Sequence, residues 1–178
     1  MNDPTHEKWD PTHHSSTNTR STAQRLRRLN KEAAAARHNS TSDTPQIYTI
    51  DSISSDYIVW QITLTPSHLS IYSGGIFPLQ LTFPEDYPVR GPSVRLTEQI
   101  PFHSNVDGDD GSVRMAELEA SWTPAYTADT IVRTILANLD SPALTDEYEE
   151  YVVNAEAAAL LRGNLKEFEV RVIEALGR

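Results

Sequence analysis

Tyr72-Ser73-Gly74-Gly75-Ile76-Phe77, then Phe83-Pro84-Glu85-Asp86-Tyr87-Pro88 and Gly91-Pro92-Ser93-Val94, make up the stretch whose reading decides the fold. Gly74-Gly75 marks a turn, because glycine takes positive φ without a Cβ clash. Ile76 to Phe83 follows as a strand, with Pro78 near its start where a missing N–H is tolerated. Pro84, Pro88, Gly91 and Pro92 then punctuate an extended loop that leads into a short strand, Ser93-Val94-Arg95-Leu96. A loop of that kind gains little from ladder hydrogen bonds. Phe77, Phe83 and Tyr87 supply the alternative, wedging the Pro-rich segment against the sheet.

Upstream, Ile47-Tyr48-Thr49-Ile50 and Tyr57 to Leu64 are rich in β-branched and aromatic residues and read as two strands, with Ser54-Ser55-Asp56 as the turn between them. Ser21-Thr22-Ala23-Gln24 resembles a capping box, and Leu26, Leu29, Ala33 and Ala36 follow at helical spacing, which predicts a first helix over 21–37. Residues 1–20 are polar and without apolar period, and are expected to form a disordered tail ahead of a single domain over 21–178. Downstream, residues 97–126 show no clean period, and a long irregular stretch inside a compact domain is often functional. Thr127 caps a helix with Ile131, Ile135 and Leu139 on its apolar face. Residues 148–161 read as a second C-terminal helix stopped by Gly163, and Asn164 with Glu167 caps a last one carrying Leu165, Phe168, Val172 and Leu176. The order of helix, four strands, irregular segment and three helices is an α+β layout with a four-stranded antiparallel meander sheet.

Composition narrows the chemistry. The chain has 178 residues, 38% of them apolar, and no cysteine at all. That excludes a disulfide scaffold, Cys-ligated zinc, iron–sulfur clusters and any thiol nucleophile. No apolar run approaches the roughly 20 residues of a membrane helix, and no secretory leader is visible, so an intracellular protein without membrane partners is expected. The net charge is −10, but residues 1–42 hold seven basic and four acidic side chains. The acidic remainder disfavours nucleic acid as a partner. Arg25, Arg27, Arg28, Lys31 and Arg37 concentrate on the first helix, either as a solvated face or as a docking strip for an acidic partner. The His13-His14 pair lacks further ligands at useful spacing. Asp107-Gly108-Asp109-Asp110-Gly111 has its Gly one position early for a calcium loop and Leu118 where a Glu is required, so no metal and no cofactor are expected.

The quoted motifs resemble the ubiquitin-conjugating enzyme family, whose pattern runs Tyr-x-Gly-Gly-x-Phe and then Phe-Pro-x-x-Tyr-Pro-x-x-Pro-Pro-x-Val. Only the first proline of the Pro-Pro pair differs, as Gly91. Trp60 stands upstream at family-like spacing, His103-Ser104-Asn105 is similar to the family's His-Pro-Asn, and Trp122-Thr123-Pro124-Ala125 to its Trp-Ser-Pro-Ala. The resemblance covers residues 21–176 and implies the family's fold.

It also implies a cysteine that accepts ubiquitin as a thioester, in a Gly-x-x-Cys context. Counting back from Trp122, that context is Gly111-Ser112-Val113-Arg114, so Arg114 occupies the nucleophile's position. A guanidinium stays protonated and offers no lone pair for acyl attack. Ser112 is two residues away with no matched base. The resemblance gives Asn105 an oxyanion-stabilising and loop-ordering role, places His103 beside it, and puts Asp146 near the acidic position that orients an incoming lysine, although an N-cap explains Asp146 equally well. The acidic position two residues after the nucleophile reads Ala116 here.

The surfaces implied for partners are Arg25, Arg28 and Lys31 on the first helix, Val89 in the Pro-rich loop, and Pro124 and Ala125, which together would meet an activating enzyme or a ligase. Thr49 lies near a strand position linked to non-covalent ubiquitin binding. The expectation is a catalytically inactive, cytoplasmic or nuclear member that binds ubiquitin, a ubiquitin-like modifier or an active conjugating enzyme. Two alternatives stay open: a true conjugating enzyme whose cysteine was replaced, and a fold-only adaptor that binds no ubiquitin.

Overall fold

A computed structural model describes residues 12–39, 47–140, 142 and 146–178; the side chains of 12–20, 39 and 146–148 lie outside that description. Helix α1 (Thr12–Asn39) leads into strands β1 (Tyr48–Ile53), β2 (Val59–Leu64), β3 (Phe77–Thr82) and β4 (Ser93–Leu96). Helices α2 (Ala128–Asp140), α3 (Ala155–Gly163) and α4 (Leu165–Ala175) follow, with 3-10 turns at Ala116–Leu118 and Asp146–Tyr151. The sheet is an antiparallel meander in the order β1-β2-β3-β4. This is the α+β architecture expected from the sequence.

The sheet's register follows from period-2 patterning. Trp60, Ile62 and Leu64 of β2 are buried, and they stand opposite Leu81, Leu79 and Phe77 of β3, which are buried too. A bulge between Ile50 and Ser52 interrupts β1. The displaced Asp51 accepts hydrogen bonds from the hydroxyls of Thr49 and Thr63 on the outer face. The inner face of the sheet shares one core with Leu29, Ala33 and Ala36 of α1 and with Ile131, Val132, Ile135, Leu136 and Leu139 of α2. Each large apolar side chain buried there contributes on the order of 2 kcal/mol.

Three expectations are corrected. The first helix starts at Thr12, not near residue 21, so it extends into the segment expected to be a disordered tail, and Ser21 to Gln24 lie inside a helix they were expected to open. A helix already nucleated adds a polar turn cheaply, and no proline interrupts the sequence between residues 12 and 39. The predicted helix over 148–161 divides into the 3-10 turn and α3, because Asn154 caps at that point, its side chain accepting from the Ala157 amide at 3.0 Å. The first two strands are also shifted toward the chain's C-terminus by one to two residues at their starts. The caps at Thr127 and Asn164 stand as read, accepting from the amides of Thr130 and Glu167 at 3.2 Å each.

The Pro-rich loop is held as its composition demands. Trp60, Phe83, Tyr87, Trp122 and Tyr126 form a continuous run of ring contacts, with neighbouring centroids 4.8 to 6.1 Å apart. The Trp122 indole N–H donates to the Pro88 carbonyl at 2.9 Å, tying this loop to the segment that carries Pro124 and Ala125. Gly91, the departure from the family pattern, lies under the Trp122 ring, where a Cβ would sit 2.8 Å from a ring carbon. Tyr72, fully buried, packs edge-on against Phe77 and donates its hydroxyl to the Phe102 carbonyl at 2.7 Å.

Beneath this loop lies a buried polar junction. The Glu32 carboxylate, on the apolar side of α1, accepts from the Tyr87 hydroxyl at 2.8 and 3.0 Å and from the Ala128 amide at 2.8 Å. It also pairs with the Arg28 guanidinium one turn back. A carboxylate facing the first amide of α2 answers both an orphan donor and the positive end of the helix dipole. Burial beside this carboxylate pushes the Tyr87 phenol far above its ordinary pKa, so it remains a donor.

Candidate functional site

The irregular segment that follows β4 is built around two turns back toward the sheet. The Leu96 amide donates to the Gly111 carbonyl at 2.9 Å, and the Val113 amide to the Val94 carbonyl at 3.0 Å. Gly111 has φ +74°, and a Cβ there would run into the Leu96 carbonyl, so only glycine permits this approach. Between these points Asp107 and Asp110 accept from the amides of Asp109 and Ser112 at 2.8 and 2.7 Å, folding the acidic stretch into a self-capped turn.

The turn delivers Arg114 to the surface. Its amide donates to the Asn105 carbonyl at 2.9 Å, and its guanidinium forms a two-pronged pair with Glu119, Nε to Oε1 at 2.8 Å and Nη2 to Oε2 at 2.7 Å. Both side chains are about half exposed, at 45% and 40%. The pair pushes the arginine further above its usual range and holds the Glu119 carboxyl below the usual carboxylate value. Glu150 and Tyr151 also face the guanidinium closely enough to favour its charged form.

Asn105 and His103 lie behind Arg114, both buried. The Asn105 side-chain amide donates to the Tyr151 carbonyl at 3.1 Å, and its oxygen accepts from the Ser104 hydroxyl at 3.0 Å. The Val153 and Asn154 amides donate to the Ser104 carbonyl, so Ser104 and Asn105 together lock the chain before α3 onto the site. His103 Nδ1 accepts from the Asn105 amide at 3.0 Å, which puts its proton on Nε2, 3.4 Å from the Asn138 carbonyl. Burial lowers its pKa to about 4. It is neutral at pH 7 and faces inward, away from any position from which it could serve a nucleophile.

The remaining expected residues separate into two groups. Arg25 is 7% exposed and donates to the Pro84 carbonyl at 3.2 Å, while Arg28 reaches the Pro124 and Tyr126 carbonyls at 3.2 and 2.9 Å as well as Glu32. Expected as docking residues, both make hydrogen bonds within the chain, to carbonyls of the loops they face. Lys31, Val89, Pro124 and Ala125 are exposed, Val89 at 70%. Thr49 is half-buried on the outer face of the sheet. Asp146 opens the 3-10 turn Asp146–Tyr151, but its side chain lies outside the described residues; the cap of α3 is Asn154. Ser112 is partly buried, and its amide is taken by Asp110, whose carboxyl is held below its usual pKa by Ser112. A carboxylate so stabilised is a poor base for the hydroxyl. Among the described residues no group of three or more His, Asp or Glu is placed to hold a metal ion, and no helix is long and apolar enough to cross a membrane.

Sequence reading missed Glu32 and Glu119. Glu32 left a signal, since it is an acid three residues after Leu29 on the apolar face of a basic helix. Glu119 left none, because its pairing depends on an irregular turn.

A meander sheet with helices at both ends, a Pro-rich loop pinned by aromatic rings, and a His-x-Asn segment behind a glycine-dependent turn define a conjugating-enzyme fold. The family model described as ubiquitin-conjugating enzyme matches residues 28–176. The chain therefore belongs to the ubiquitin-conjugating enzyme family. A relative named "Ubiquitin-conjugating enzyme E2 6" from Arabidopsis thaliana is 29% identical over 128 residues, which is 71% of this chain and 67% of that protein.

Proposed function

We propose that this chain is a non-catalytic member of its family, a binding or regulatory module in ubiquitin or ubiquitin-like modifier pathways. One observation carries the reading: the chain has no cysteine, and the position that the resemblance gives to the nucleophile reads Arg114, engaged by Glu119. Thioester formation needs a thiolate, and neither the guanidinium nor Ser112 provides an equivalent group. Asn105 acts here as an organiser of its loop, since its amide is spent on the Tyr151 carbonyl. What survives is scaffold and surface, including the exposed Lys31, Val89, Pro124 and Ala125 for an activating enzyme, a ligase or an active conjugating enzyme. Thr49 marks the sheet face for non-covalent ubiquitin binding. Asp146 serves the turn it opens. The binding domain, proposed over residues 21–178 with α1 running back to Thr12, acts in the cytoplasm or nucleus.

The test is an ATP-dependent charging reaction with activating enzyme and ubiquitin, run beside a titration of labelled ubiquitin followed by amide shifts. No adduct is expected for this chain, and shifts are expected around Thr49. A reducible adduct on the unmodified chain, or shift-free spectra at millimolar ubiquitin, defeats the reading. A second reading, an enzyme that has lost only its cysteine, draws on the intact packing of His103 and Asn105 and predicts that Arg114→Cys accepts ubiquitin.

A further inference from the structure

The chain's 15 cations are 12 arginines and only three lysines, Lys8, Lys31 and Lys166, so residues 32–165 contain no lysine. Local structure does not require this. Arginine forms the ion pairs seen at residues 28, 90, 114, 133, 162 and 171, and some use it for a single short contact that an ammonium makes as well. Arg90, 73% exposed beside Asp86, and Arg133, half exposed beside Asp129, are examples. An exposed i,i+4 pair contributes about 0.3–0.5 kcal/mol with either cation. The two side chains differ in another respect: a lysine ammonium can lose its proton and attack an acyl group, and a guanidinium cannot.

We infer that the surface from residue 32 to residue 165 is built to be refractory to acyl transfer, and that modification of this chain by a charged neighbour falls on Lys31 and Lys166 among the described residues. The inference rests on the proposed role beside active conjugating enzymes. In the step itself, Nζ of Lys31 gives a proton to solvent and attacks the carbonyl carbon of the neighbour's ubiquitin thioester. A C–N bond forms, the C–S bond breaks, the thiolate leaves on the neighbour, and the second amine proton is released. Lys31 is exposed on α1, one turn from Arg28, whose guanidinium touches the loop carrying Pro124. A modifier attached there covers the surface proposed for docking, so the same amine that accepts ubiquitin shuts off the interface.

The full chain is incubated with excess ubiquitin-charged conjugating enzyme, and conjugates are quantified on gels and mapped by mass spectrometry. Binding of that enzyme is measured separately by titration. Conjugates on the unmodified chain are expected at Lys31 and Lys166, besides Lys8 and the α-amino group. Arg90→Lys and Arg133→Lys, both expected to fold as judged by circular dichroism, should each gain a new conjugate at the substituted residue and raise the total several-fold. Lys31→Arg should remove the α1 conjugate, and Lys166→Arg, on the exposed face of α4, should remove the second and leave binding unchanged. Binding without any gain in the two lysine variants overturns the inference and leaves the proposed function standing. Absence of binding to the charged enzyme overturns both.

Discussion

Two arginine–glutamate pairs, Arg28–Glu32 on α1 and Arg114–Glu119 in the irregular segment after β4, do different things. Arg28–Glu32 is a junction: Glu32 is 6% exposed and is shared by α1, the Pro-rich loop and the first amide of α2. Arg114–Glu119 joins two residues of one irregular segment, both about half exposed. A buried carboxylate with several donors specifies how elements dock, and removing it strands each donor. An exposed pair is screened by solvent and contributes little. The pair that joins elements is the buried one, whereas the pair at Arg114 is a surface contact within one segment.

The contrast is most easily broken at Glu32. Glu32→Ala leaves the Tyr87 hydroxyl, the Ala128 amide and the Arg28 guanidinium without their acceptor and should cost about 3–5 kcal/mol, read as a lower urea midpoint. An unchanged midpoint would make the two pairs equivalent. The next largest effect is on the site side and depends on pH. An unfolded histidine binds a proton near pH 6.5, but His103 in the folded chain resists until about 4. The unfolded state thus holds more protons between those values, and stability falls as pH drops through that window. About 2 kcal/mol should disappear between pH 7 and pH 5, and His103→Gln should flatten the slope. Tyr87→Phe removes one donor from Glu32 and should cost about 1.5 kcal/mol, with the ring contacts to Phe83 and Trp122 preserved. Arg114→Ala is the smallest, below about 1 kcal/mol, and its effect should vanish in added salt. A loss there comparable to that at Glu32 would mean the pair is structural after all.

Much of this was legible in the sequence, for reasons visible in particular residues. Gly74-Gly75, the prolines and the aromatic spacing sufficed to place β3, β4 and the loop between them, because turn chemistry and ring packing are local or nearly so. The count to Trp122 singled out Arg114, and the structure places it at the surface in a pair with Glu119. Less legible was how far a helix runs: the polar residues 12–20 carry no apolar period, yet they extend α1. The 3-10 turn was merged with α3 into one helix over 148–161 because Asn154, the cap of α3, sits within a stretch of good helix formers. The fates of Arg25 and Arg28 were hidden as well. Whether a cation on a surface helix meets solvent or a carbonyl of a distant loop is decided by tertiary packing, and Pro84 and Pro124 are 59 and 96 residues away from them.

The glycine-dependent approach of Gly111 to Leu96 has one more consequence. β4 ends the sheet, and an open strand edge is a template on which other chains can add strands and aggregate. Here Gly111 to Val113 lie along that edge and occupy its hydrogen-bonding groups at Val94 and Leu96. The segment that brings position 114 into place is therefore also the guard of an exposed rim. The backbone needs this cover whatever the site does, and Gly111→Ala should favour aggregation.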